Sequence, residues 1–205
     1  RYGILVVMSA GNDGPALGTA GSAGAEASRV LGVGAYMSPE MGAALYSALA
    51  PSRAGAQAFS SRGPTKDGDF GVDVMAPGAA IASVSTETLH GAGLKNGTSM
   101  SSPSAAGVAA LVLSAARQAR LEAPAARLRA ALIGGANPLP HEEPLTRGSG
   151  LVNAPGAWKK LQDLQAAPAF DAFYDLEVNR GTFTSKARGL LLRERLDAFG
   201  NHPQF

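Results

Sequence analysis

The stretch from Asn96 to Gly107, Asn-Gly-Thr-Ser-Met-Ser-Ser-Pro-Ser-Ala-Ala-Gly, constrains this chain most, because it runs straight into Val108-Ala109-Ala110-Leu111-Val112-Leu113. Apolar on every side, that second run reads as a buried helix. Thr98 or Ser99 stands where an N-cap belongs, and Pro103 falls in the first turns, where its missing N–H costs least. Ser99 then sits at the positive end of the helix, where free backbone N–H groups favour negative charge. A serine there has two readings. It is a helix cap, or it is an acyl-transfer nucleophile whose tetrahedral intermediate carries an oxyanion. The spacing Gly97-x-Ser99-x-Ser101 lacks the second glycine of a nucleophile elbow. No lysine follows Gly97, so there is no phosphate-binding loop.

The rest of the chain supplies strands and tight loops around that helix. Ile4-Leu5-Val6-Val7-Met8 is a continuous apolar run, as in a central parallel strand covered on both faces. It ends in Ser9-Ala10-Gly11-Asn12-Asp13-Gly14-Pro15, which is at least a turn. Gly18 to Ser28 is a small-residue loop, and Val30 to Ala35 is the next strand. Residues 38–56, with Pro39 and Pro51, read as irregular. Val72 to Gly78 gives a short strand and a turn, and Ile81 to Val84 another strand. A helix follows from Pro124 to Ile133, with Arg127 and Arg129 marking its wet face, and Gly134-Gly135 ends it. A last helix runs from Ala154 to Leu164, with Trp158 as core packing. The 26 glycines and the 17% share of charged residues fit a sheet with close backbone approaches.

Several classes of function are excluded early. The net charge of +2 implies neither nucleic acid nor a membrane surface. No continuous apolar run is long enough to span a bilayer. With no cysteine, there is no disulfide, zinc-thiolate site or thiol nucleophile.

Taken together, Gly97-Thr98-Ser99-Met100-Ser101-Ser102-Pro103 with Ala105-Ala106-Gly107 resembles the nucleophile motif of subtilisin-like serine proteases. Ser60-Ser61-Arg62-Gly63-Pro64, Met75-Ala76-Pro77-Gly78 and Arg147-Gly148-Ser149-Gly150-Leu151-Val152-Asn153 match that family in order. Gly11-Asn12-Asp13-Gly14-Pro15 and Ser104, standing where most subtilisins have histidine, lean toward its tripeptidyl-peptidase branch. The resemblance implies a three-layer α/β domain with a mostly parallel central sheet. Residues 1–165 would be its C-terminal half, and residues 166–205 a linker with the first strands of a β-rich domain. It implies Ser99 as nucleophile and Asn12 as donor to the oxyanion; a neutral amide suits that task because it needs no protonation. It implies a cleft lined by Ser9, Ala10, Gly11 and Thr98, a peptide or protein substrate, and neither cofactor nor metal. The resemblance alone also allows a homo-oligomer, and favours a cytoplasmic location while leaving a secreted one open.

A serine nucleophile needs a base and the base needs a carboxylate. In this family both precede the serine. His90, His141 and His202 lie in loops with no family motif around them. The chain therefore reads as a fragment of something longer, with Ser99 and one oxyanion arm but no proton relay. The rival reading is a catalytically silent subtilisin-like scaffold.

Overall fold

A computed structural model of the chain describes residues 3–21, 29–48, 53–66, 68–83 and 92–166. The sheet is built on β2 (Leu31–Met37), which pairs in parallel with β1 (Val7–Ser9) and with β4 (Val74–Pro77). The two-residue β3 (Gly55–Ala56) adds antiparallel to the end of β2. A separate hairpin pairs β5 (Ala79–Ser83) with β6 (Ala92–Asn96). Helices are α1 (Pro39–Tyr46), α2 (Thr98–Gln118), α3 (Ala125–Gly134), the single turn α4 (Pro144–Arg147) and α5 (Ala154–Gln165).

Side-chain alternation along the strands creates two cores. Leu31, Val33, Val74 and Ala76 face α2, α3 and α5, meeting Ala105, Ala109, Val112, Leu128, Leu132 and Leu161. On the other face Met75 packs with Ala10 and Val72, against Leu139 and Leu151. Gly32 is required there, since a β-carbon would strike the Gly71 carbonyl.

Several expectations are corrected. Residues 38–56 are not wholly irregular: Ser38 Oγ accepts from Met41 N–H at 3.2 Å, Pro39 occupies the first turn, and α1 follows. The signal was present as Ser-Pro-Glu, but the glycine and prolines around it obscured an eight-residue helix. Among the described residues β1 pairs on one edge only, with β2. Helix α2 is buried on one stripe only, through Thr98, Ser101, Ala105, Ala109, Val112 and Ala116. Leu111 on its opposite side is 64% exposed. By length and composition α2 is apolar enough to cross a membrane, although that stripe packs on the sheet. Arg127 and Arg129 do not mark a wet face either. Arg127 is 8% exposed and donates to Gln165 Oε1, tying α3 to α5. Arg129 reaches Asp73, across the start of β4. Trp158 packs against the main core as expected. Residues 166–205, apart from Ala166, and His90 and His202 lie outside the described residues.

Candidate active site

Two loops converge where the strands of a parallel sheet end, the usual position for ligand groups in such folds. One leaves β1 through Ala10, Gly11 and Asn12. The other leaves β6 through Gly97 into α2. Gly97 is the N-cap, in place of Thr98 or Ser99, and no side chain caps the helix. Its φ of 148° is a conformation that a side chain disfavours, so the chain turns sharply into the helix.

Thr98 locks the two loops together. Its backbone N–H donates to Asn12 Oδ1 at 2.9 Å, and its hydroxyl donates to the same oxygen at 3.0 Å. The hydroxyl in turn accepts the Gly11 N–H at 3.3 Å. Because a backbone N–H can only donate, this pattern fixes which end of the Asn12 amide faces Thr98. Nδ2 must face away. Among the described residues no acceptor holds it.

The space Nδ2 faces can be located. A β-carbon built on Gly97 would stand 3.5 Å from Asn12 Nδ2 and 3.7 Å from the Ser99 backbone nitrogen. Asn12 Oδ1 lies 3.6 Å from the same point, so the Asn12 amide as a whole and the Ser99 nitrogen border the small gap left where Gly97 has no side chain. Ser99 itself is exposed, beside that gap. A neutral amide and a backbone N–H thus lie together at the start of a 21-residue helix, whose positive end favours negative charge.

The expected cleft residues fare differently. Ser9 ends β1, half-buried, and pairs with Val33. Ala10 turns its methyl into the second core, leaving only its backbone to a ligand, and donates its N–H to Val33 O at 3.0 Å. Gly11, at φ 113°, is likewise buried and offers backbone alone. Thr98 is fully buried and its hydroxyl is occupied; what it does here is hold Asn12. Sequence reasoning did not assign it that role, which only a contact across 86 residues reveals.

Other polar residues support the loop. Ser61 Oγ accepts the Asp13 N–H at 3.0 Å, and Ser61 N–H donates to Gly11 O at 2.9 Å. Thus the Ser-Ser-Arg-Gly-Pro segment buttresses the loop that carries Asn12. His141 is exposed on the bend before α4 and makes no hydrogen bond to Ser99. Among the described residues no group of histidines, aspartates and glutamates could hold a metal.

A parallel α/β sheet with an exposed serine at the first turn of a helix, beside a pre-aimed amide, defines a serine-hydrolase type of architecture. Residues 1–165 match the subtilase family, Peptidase_S8, and the chain belongs to that family. Tripeptidyl-peptidase 2 of Arabidopsis thaliana is 44% identical over 196 residues, 93% of this chain and 14% of that protein. The Caenorhabditis elegans tripeptidyl-peptidase 2 is 38% identical over 195 residues, 95% of this chain and 14% of that protein. Among solved structures, that of tripeptidyl peptidase 2 (TPP II) superposes with a TM-score of 0.60 at 34% identity, covering 81% of this chain and 12% of that one. The self-cleaved protease domain of PatA superposes with a TM-score of 0.59 at 26% identity, covering 78% of this chain and 51% of that one. The chain thus spans a small part of the curated relatives it matches.

Proposed function

We propose that the protein carrying this chain is a serine peptidase of the tripeptidyl-peptidase II kind. Ser99 attacks the scissile carbonyl and forms an acyl-enzyme, which water then hydrolyses. Asn12 Nδ2 and the Ser99 backbone N–H receive the oxyanion. The base and its orienting carboxylate come from polypeptide outside the described residues. Ser9, Ala10 and Gly11 form one wall of the cleft through their backbones, and the substrate is a peptide. The observation that supports this reading is the Thr98 lock, which holds Asn12 by its oxygen and leaves its exposed Nδ2 near the start of α2, where Ser99 stands.

The test is covalent labelling of the complete enzyme with a fluorophosphonate. The label is expected on Ser99, with peptide hydrolysis and labelling both abolished in Ser99→Ala. Labelling that survives Ser99→Ala would overturn the assignment. Failure of the wild type to label, with the oxyanion loop intact, would favour the scaffold.

A further inference from the structure

Lys95 stands shortly before Ser99, on the strand that leads into it, and the oxyanion chemistry makes no use of it. Among the described residues β6 pairs with β5 alone, and Leu94, Lys95 and Asn96 are all exposed. The ladder does not stop at Asn96. Gly97 N–H donates to Gly78 O at 2.9 Å, which continues the register of Ala80 with Lys95 and Ala79 with Asn96 by one more rung. Residues two apart on a strand project from the same face. Lys95 therefore leaves β6 on the face where a side chain at Gly97 would rise, and that is the face bordered by the Asn12 amide and the Ser99 nitrogen. Along the strand the two positions are about 7 Å apart. A four-carbon stem lets the ammonium cover much of that distance.

The fold leaves this charge unpaired. The residue opposite Lys95 is Ala80, which has no group to meet an ammonium. Among the described residues nothing else holds it. The other loop of the site carries the opposite sign. Asp13 follows Asn12 and is exposed; its backbone N–H is tied to Ser61 Oγ, while no described residue holds its carboxylate. A peptide crossing between the two loops thus meets an anion on the β1 side and a cation on the β6 side. Exposed charges are screened, so such a pair produces a preference among substrates and not an absolute requirement.

We infer that Lys95 is a specificity-determining residue that favours an acidic side chain on the leaving half of the substrate, immediately after the cut. The acyl half lies along the Ser9–Gly11 wall, beside Asp13, where an acid is repelled. This inference rests on the peptidase reading above and adds to it which peptides are cut fastest.

The experiment uses the complete enzyme and quenched fluorescent peptides of one parent sequence, with Asp, Asn or Lys at the first position after the cut. At low salt kcat/KM should be about threefold higher for Asp than for Asn, and about tenfold higher than for Lys. In 1 M salt the order should flatten, because screening acts over about 3 Å there. Lys95→Glu should invert the order, Lys95→Met should bring the three peptides together, and Lys95→Arg should keep the order. Fluorophosphonate labelling of Ser99 identifies the variants that have folded. An acid placed just before the cut should gain nothing. Equal cleavage of all three peptides by the wild type overturns the inference, as does a preference that survives 1 M salt or Lys95→Glu, or an equal gain from an acid before the cut. A complete enzyme that neither labels at Ser99 nor cuts any peptide sinks the peptidase reading and this inference with it; one that labels and cuts without preference sinks this inference alone.

Discussion

At the amino ends of β2 and β4, Asp73 has both carboxylate oxygens occupied. Oδ1 meets Arg129 Nη2 at 2.6 Å and Oδ2 accepts the Gly32 N–H at 2.8 Å, while Arg129 Nε donates to Val30 O at 3.2 Å. At the carboxyl ends, Asn12 has its oxygen doubly held and its nitrogen left over. Both clusters join a strand end to a helix. The first is closed, with its polar groups satisfied by protein. The second is closed on one side and open on the other. The difference teaches how one fold treats its strand ends: at one the polar groups are consumed by structure, at the other an amide is held by its oxygen while its nitrogen faces solvent.

The comparison can be broken in several ways, with effects of falling size. Asn12→Ala in the complete enzyme should lower kcat by about 10²–10³ with KM nearly unchanged, the range known for such a donor in a subtilisin of this family. A change confined to KM would make Asn12 a binding or turn residue. At the other end, Arg129→Met should cost about 3 kcal/mol of folding stability, because it strands a buried carboxylate. Its kcat per folded molecule should stay at the wild-type value; urea titration and active-site titration together separate the two. Thr98→Val should lower kcat roughly fivefold to tenfold by freeing the Asn12 amide, about one hydrogen bond's net worth. If Thr98→Val leaves kcat untouched, the lock is ornamental.

The smallest effect concerns pH. Burial pushes the Asp73 carboxyl above its ordinary range, outweighing the opposing pull of Arg129 and the Gly32 N–H. A raised value means that the folded state holds the proton better than the unfolded chain. The contribution is therefore full below about pH 4, the ordinary aspartate value, and is lost as pH rises through the raised one. The urea midpoint of Asp73→Asn should lack that component. Identical pH profiles for wild type and Asp73→Asn would show that the site is electrostatically neutral to folding.

Much of this was legible in the sequence, for reasons that differ by element. The nucleophile helix, β2, α3 and α5 announced themselves through apolar patterning and their Pro and Gly punctuation. Ser99 and Asn12 stand out as candidates because each sits in a dense local motif. The Thr98 lock and the Asp73–Arg129 pair were not, since they join residues 86 and 56 apart. Patterning showed that Arg127 and Arg129 were charged, and charge was taken for exposure; their partners lie on α5 and beside β4. The one-sided burial of α2 was hidden as well. A helix apolar all round reads as buried whether or not every neighbour belongs to the same stretch of chain.

The Thr98 lock also sets a time. Asn12 cannot be aimed by its own neighbours in sequence, because it is oriented by a residue 86 positions later. Closing a loop of that length is a late, cooperative event in folding. A nascent or partly unfolded chain can expose Ser99 without Asn12 set beside it. On the proposed peptidase reading, the ordering acts as a safeguard: the ability to cleave arrives together with the tertiary structure and departs with it.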